Sequence, residues 1–309
     1  MQFGQYPAPR HAIAHVSDPH LLADSLQYGV IDTEAGLVRA LERLSRLDPA
    51  PQALVFTGDL ADRGEPAAYD RLRAIVEPAA ARMGAQVVWV MGNHDERAPY
   101  AKMLFGEDAD DSVTQDRVHD VDGLRIISLD TSVPGYHHGE LTDEQLAWLR
   151  ELLATPAPHG TLLALHHPPI PVPMLPAAEI IELLDQDRLA EVLAGSDVRG
   201  IIGGHVHFSS YSTFAGIPVS VASATCYTSD PAPLDRFVSS VDGHQAVTMM
   251  HLYDDRVVHT IVPLAEAPEL RGFPAEVAAQ VEALSPEERR DLVSRKDSPL
   301  NTGELQIDR

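Results

Sequence analysis

The feature that most constrains this chain is the position of its metal-capable side chains. Five short polar groups each close an apolar, strand-like run. Asp18-Pro19-His20 follows Ala12 to Val16, and Gly58-Asp59 follows Gln52 to Thr57. Gly92-Asn93-His94-Asp95 follows Val87 to Met91. His166-His167-Pro168-Pro169 follows Thr161 to Leu165, and Gly203-Gly204-His205-Val206-His207 follows Val198 to Ile202. In open α/β sheets ligands bind outside the carboxyl ends of strands, where loops carry function on a rigid scaffold. The pattern points to one shared site.

Helical patterns separate these runs. Leu37, Ala40, Leu41, Leu44 and Leu47 keep helical spacing, and Pro66 suits the first turn of a helix to Arg82. Asp122-Gly123 predicts a hairpin between Arg117 to Val121 and Leu124 to Leu129. Thr142 and Gln145 form a capping-box pattern opening a helix through Leu153, and Ala178 to Leu193 reads as one helix. Tyr211 to Phe214, Ile217 to Ala222, Ala246 to Tyr253 and Val257 to Val262 read as strands. The fold class expected is α/β, with two packed mixed β-sheets flanked by helices in one domain over residues 1–264. Residues 265–309 form a C-terminal extension broken by Pro268, Pro274, Pro286 and Pro299. A short helix is expected at Ala275 to Leu284, and the rest reads as a mobile tail.

Composition narrows the function. The 309 residues are 44% apolar and 22% charged, ordinary for a globular protein, and hold no apolar run of the ~18–20 residues a membrane span needs. No stable membrane insertion is therefore expected, and Met1 to Arg10, with no hydrophobic stretch, gives no secretory signal. The single cysteine, Cys226, allows no intramolecular disulfide and fits a reducing cytoplasm. A net charge of −23 argues against nucleic acid as a partner, because phosphate backbones are bound by lysine and arginine. It would also repel small phosphate esters unless bound cations reversed the local field.

Each polar group has a chemical reason. Asp18 and His20, two apart, can aim both side chains to one face, and His205 and His207 repeat that spacing. Gly203-Gly204 lets backbone approach a ligand closely or adopt positive φ. Asp59 offers two oxygens that could serve two cations, and Asn93 offers a neutral carbonyl oxygen. Imidazole mixed with oxygen suits Fe, Mn or Zn better than Mg or Ca. Taken singly these groups have plainer readings: a loop pair, a turn, a strand stop. Their joint order carries the case.

Read in order, Asp-x-His, Gly-Asp, Gly-Asn-His-Asp, His-x-Pro and Gly-His-x-His resemble the calcineurin-like metallophosphoesterase superfamily, over about residues 11–264. Asp18-Pro19-His20-Leu21, Gly58-Asp59-Leu60-Ala61-Asp62, Gly64-Glu65-Pro66 and Gly139-Glu140-Leu141 are similar to its class III cyclic-nucleotide phosphodiesterases of actinobacterial, mycobacterial type. The resemblance implies a four-layer β-sandwich with two metals, Fe and Mn first and Zn next. One metal would be held by Asp18, His20, Asp59 and His207, the other by Asp59, Asn93, His166 and His205, with Asp59 bridging. His166 stands two before the proline as the family ligand does; His167 is the fallback. A homodimer is implied by resemblance alone.

The reaction expected is hydrolysis of 3′,5′- or 2′,3′-cyclic AMP to nucleoside monophosphate, by in-line attack of a metal-bound hydroxide. His94, oriented by Asp95, would assist the leaving alkoxide. Asn93, His94, His137 and His207 would contact substrate, with Tyr136 a weaker candidate for stacking on a base. Cys226 is expected as a packed side chain with no role. Gly58 to Gly64 also resembles Gly-Asp-x-x-Asp-Arg-Gly of protein Ser/Thr phosphatases, but Met91 stands where those carry a phosphate-gripping arginine, and Asp95 where they have glutamate. A phosphomonoesterase or protein phosphatase of the same superfamily, or a silent metal-binding scaffold, are the alternatives.

Overall fold

The structure, a computed structural model, describes residues 4–270 and 272–302. The chain divides into two compact units, Arg10–Ala265 and Met1–Pro9 with Glu266–Arg309.

In the larger unit, β1 (His11–Val16), β2 (Ala53–Thr57) and β3 (Gln86–Val90) run parallel, joined by α1 (Thr33–Leu44) and α2 (Pro66–Met83). α3 (Arg97–Phe105) leads to an antiparallel hairpin of β4 (Arg117–Val121) and β5 (Leu124–Leu129). Then follow α4 (Asp143–Leu153), β6 (Thr161–Leu165), α5 (Gln186–Leu193) and β7 (Val198–Gly203). β8 (Ser210–Phe214) turns back onto β9 (Ile217–Val221), and β5, β6, β7 and β9 are parallel. After a small ribbon of β10 (Thr228–Ser229) and β11 (Ser240–Val241), β12 (Ala246–Leu252) and β13 (Val257–Pro263) return to pair beside β1. The two large sheets are ordered β13-β12-β1-β2-β3 and β4-β5-β6-β7-β9-β8.

Strand alternation divides the side chains between cores. Ala12, Ala14 and Val16 of β1, with Leu54 and Phe56 of β2, pack under α1, α2 and α3. Ile13 and Val55 face the other way, onto Ile126, Leu162 and Ile202 of the second sheet. Leu163 and Leu165 of β6 pack against Leu149 of α4 and Leu189 of α5. The layers are helix, sheet, sheet, helix, as expected. Pro66 begins α2, the Thr142–Gln145 capping box is present, and Asp122-Gly123 turns the β4–β5 hairpin with positive φ at both residues.

Two expectations change, and one helix is unforeseen. The single helix over 178–193 is instead a short 3-10 turn at Pro176–Ile180 and, after a break, α5. Backbone in the break is taken by tertiary pairing: Gly139 N–H donates to Glu182 O at 3.0 Å, and Leu184 N–H to Gly139 O at 2.8 Å. α3 is not evident from the sequence, because apolar residues lie all round it and hide the buried stripe of Arg97, Tyr100, Ala101 and Leu104. In the smaller unit α6 (Ala275–Ala283) meets the expected short helix, but α7 (Pro286–Ser294) and α8 (Pro299–Thr302) occupy part of the expected tail. α7 opens on a Ser285–Glu288 capping box, a local signal the proline spacing obscured. The tail expectation for residues 303–309 falls outside the described residues.

Candidate metal centre

The ends of β1, β2, β3, β6 and β7 converge. Asp59, after β2, sits centrally, with Oδ2 3.3 Å from both His20 Nε2 and His166 Nε2. On one side, His20 Nε2 lies 3.2 Å from His207 Nε2, which is 3.4 Å from Asp18 Oδ1. On the other, His166 Nε2 lies 3.0 Å from Asn93 Oδ1 and 3.3 Å from His205 Nδ1. The seven side chains thus form two groups sharing Asp59. Asp18, His20, Asp59, His166 and His207 are buried, while Asn93 and His205 are partly open to solvent.

Each histidine has its tautomer fixed from outside the centre. His20 Nδ1–H donates to Asp62 Oδ1 (2.9 Å), His166 Nδ1–H to Thr57 O (2.7 Å), and His207 Nδ1–H to Tyr227 O (3.0 Å). His205 is reversed, with Nε2–H donating to Ile181 O at 2.9 Å. Carbonyl and carboxylate oxygens only accept, so the outer nitrogen of all four carries the proton and, in the neutral ring, the inward nitrogen offers a lone pair.

The backbone is bent to achieve this. Asp18, His20, Asp59, His205 and His207 all have positive φ, between 45° and 74°. Non-glycine residues seldom adopt that region, and such strain gathers at functional sites. Close approach also excludes side chains: a Cβ on Gly204 would lie 2.0 Å from Ser17 Oγ, and one on Gly92 2.2 Å from Asp59 N.

These inward atoms set acceptor against acceptor, which is stable only around positive charge. Protons can supply part of it. Burial lowers the basicity of His20 and His166, but Asp59 outweighs it and holds His20 well above its usual range and His166 at about 9. Burial raises the Asp59 carboxyl, yet His166 and His94 hold it well below the ordinary carboxylate range. Metal cations would satisfy the whole set. Ligand atoms bound at ~2.1 Å to one centre stand roughly 3–3.5 Å apart, which is the spacing found. Imidazole, carboxylate and amide oxygen therefore fit a metal pair, and Asp18, His20, Asp59 and His207 bring one ligand atom each within 4.8 Å of one another.

The remaining expected residues sort by geometry. His94 lies edge-on to His20, its backbone N–H donating to Asp59 Oδ1 (2.9 Å) and its Nδ1–H to Asp62 O (2.9 Å), so Nε2 is its unengaged nitrogen. Asp95 does not orient it. Its carboxylate is buried and accepts from the backbone of Leu60, Ala61 and Gly92 and from Tyr69 Oη. Asp95 staples the β2 and β3 loops together, and the Asp62 carbonyl takes the expected role. His137 Nδ1 accepts from Asn93 Nδ2 at 2.7 Å, turning Asn93 Oδ1 inward. His167 spends both nitrogens elsewhere, on Thr131 Oγ1 and His137 O, although it lies near His205 and His166. Cys226 is packed behind His207, 3.8 Å from its Nδ1.

Sequence reasoning missed the outer acceptors. Asp62 lay in a quoted motif and could have been suspected. The carbonyls of Thr57, Ile181 and Tyr227 carry no side-chain signal.

The calcineurin-like phosphoesterase family matches residues 11–209, and the chain belongs to that family. Membership places it among phosphoester hydrolases and implies a dinuclear metal centre. The chain is 52% identical to a probable cyclic nucleotide phosphodiesterase of Rhodococcus erythropolis, across 84% of this chain and 86% of that protein. It is 53% identical to a cAMP/cGMP dual specificity phosphodiesterase of Mycobacterium tuberculosis, across 85% and 83%. Among solved structures, a dimetal phosphatase from Danio rerio shares the fold with a TM-score of 0.59 at 17% identity, covering 84% of this chain and 98% of that one. No helix among the described residues is long and apolar enough to cross a membrane.

Proposed function

We propose that the chain is a metal-dependent phosphodiesterase that hydrolyses cyclic nucleotides, 3′,5′- or 2′,3′-linked, to nucleoside monophosphates. One observation carries the reading: four histidines, each fixed by an outer acceptor, aim their other ring nitrogens into a centre shared with Asp18 and Asp59. The substrate class is supported by the two relatives just above half identity, whose names are cyclic-nucleotide phosphodiesterases.

In this reading Asp18, His20, Asp59 and His207 hold one metal, and Asp59, Asn93, His166 and His205 the other, with Fe and Mn favoured and Zn accepted. Bound metals lower the pKa of water and neutralise phosphoryl oxygens. The chain supplies the rest. Asp59 Oδ1, held by the His94 backbone N–H, keeps the central carboxylate in place. His137 fixes the Asn93 amide, so that its oxygen and not its nitrogen faces the centre. His94, its Nδ1–H tied to the Asp62 carbonyl, presents Nε2 to the bound ester. When protonated there, it gives that proton to the ribose oxygen as the P–O bond breaks, and water supplies the new P–O bond and a replacement proton. The catalytic domain is the unit Arg10–Ala265 and not the whole of residues 1–264; the protein is a cytoplasmic homodimer, and nucleic acid is no partner, given the charge of −23.

The test is turnover of 3′,5′-cyclic AMP, 2′,3′-cyclic AMP, an aryl phosphodiester and its monoester by Mn-loaded protein, with Asp59→Ala as the blank. Cyclic diesters should turn over well above the monoester, and the variant should be dead. Cleavage of the monoester alone would defeat the substrate class.

A further inference from the structure

Beside the centre, a ladder of aromatic rings runs outward to solvent. The Tyr227 ring lies 4.5 Å from His207 and 6.0 Å from His20, centroid to centroid. The Tyr28 ring meets it edge-on at 5.3 Å, and the Tyr28 hydroxyl donates to the Tyr227 hydroxyl at 3.0 Å. Tyr227 is 9% exposed but Tyr28 is 66% exposed, so the ladder ends in an open aromatic face.

The backbone under Tyr28 is costly to make. Tyr28 and Gly29 have φ of 51° and 73°, and Val30 N–H donates to Gln27 O at 3.1 Å, forming a tight turn of the primed kind. Asparagine, aspartate or glycine suits its first central position; a bulky aromatic there is an outlier. Burial does not explain the choice, since most of the ring is in water. The turn is also held to the metal centre. Gln27 Nε2 donates to Asp62 Oδ1 at 2.8 Å, the same oxygen that takes the His20 Nδ1 proton.

Resting on the cyclic-nucleotide reading above, we propose that Tyr28 is the base-stacking residue of this site. With Tyr227 as its backing, it recognises the planar base of a nucleotide whose phosphate lies at the metal ligands. Stacking of this kind is sequence-tolerant, because every base has a π-face. The subsite would favour nucleotides over non-aromatic phosphodiesters without selecting sharply among bases. Tyr136, the other exposed tyrosine near the centre, is a poorer candidate, as it packs edge-on against His138 in a separate turn.

Equilibrium binding of AMP and of ribose 5-phosphate to Mn-loaded protein, by calorimetry, isolates the contribution of the base without turnover. Wild type should bind AMP roughly 5- to 150-fold more tightly than ribose 5-phosphate, the range base–aromatic stacking provides. Tyr28→Asn should bring that ratio close to one and leave ribose 5-phosphate affinity unchanged. It should also melt no lower than wild type, because asparagine suits the turn. Tyr28→Phe should keep most of the ratio, and Tyr136→Asn all of it. A ratio near one in wild type, or a ratio untouched by Tyr28→Asn, would overturn the proposal. A Tyr28-dependent ratio in a protein that fails to hydrolyse cyclic AMP would sink the cyclic-nucleotide reading and keep the base subsite.

Discussion

His205 donates its Nε2–H to the carbonyl oxygen of Ile181 at 2.9 Å, across 24 residues. In a continuous helix over this stretch, that carbonyl would take the N–H four residues on, from Asp185. The chain leaves helical geometry instead, pairing Glu182 and Leu184 with Gly139, and Ile181 O becomes available to hold the imidazole. A break in secondary structure thus fixes which nitrogen of His205 faces the centre.

Gly139 is the partner that keeps the break open, and it has no room for a side chain. A Cβ there would lie 2.7 Å from the His167 ring. Gly139→Ala should destabilise the fold by about 1–3 kcal/mol, the usual cost of overpacking, and loosen His205. Metal content per chain, measured by elemental analysis, should fall while urea unfolding records the lost stability. Full metal content in the destabilised variant would show that His205 does not need the Ile181 acceptor.

Asp62 carries the same logic on the other side of the centre. Its Oδ1 accepts from both His20 Nδ1 and Gln27 Nε2. Removal of such an outer partner typically costs about 10–100-fold in metal affinity or activity. Asp62→Ala should show a loss of that order in chelator competition, and Asp62→Asn a smaller one, since its amide oxygen can still accept. Equal losses in the two variants would implicate the negative charge of Asp62 instead of its orientation of His20.

His94 is distinguishable from the metal ligands by how its loss depends on the leaving group. His94→Asn should lower kcat on cyclic AMP by roughly 10²–10⁴-fold, the range for general acid catalysis, with metal content intact. On a p-nitrophenyl diester the loss should be much smaller, because that phenolate departs without a proton. Matching losses on both substrates would mean that His94 grips the phosphate and donates no proton.

The site was far more legible in the sequence than the scaffolding that orients it. Asp18, His20, Asp59, Asn93, His166, His205 and His207 could be nominated because polar residues at the ends of buried strands need a reason to be there. Continuous apolar runs likewise placed the strands that meet between the sheets, those of Ile13, Val55 and Leu162. What stayed hidden rests on backbone. The carbonyls of Thr57, Ile181 and Tyr227 belong to residues of any type, and positive φ at Asp18 or His207 leaves no mark without a glycine. Asp95 misled for a related reason. Its neighbour His94 made it look like an orienting carboxylate, yet the loop turns it away to collect backbone N–H donors.

Metal loading should release protons, and the sign follows from Asp59. Burial disfavours charge on His20 and His166, but Asp59 holds His20 well above 6.5 and His166 at about 9, so both carry protons at pH 7. Ligating imidazoles must be neutral. Affinity should therefore rise with pH towards about 9 and fall as pH drops, with about one to two protons released per chain at pH 7. Calorimetry in buffers of different ionisation heat counts them. His205 contributes none, since burial and the charge of His166 hold it at about 3 and it is already neutral. Stability of the metal-free protein has the matching sign. The folded pKa of His166 lies above its unfolded value, so its contribution is complete below about pH 6.5 and is lost as pH rises through about 9. Metal-free protein should lose stability across that window and metal-loaded protein should not. A flat profile for the metal-free form, with no protons released on loading, would mean that Asp59 does not hold these imidazoles charged.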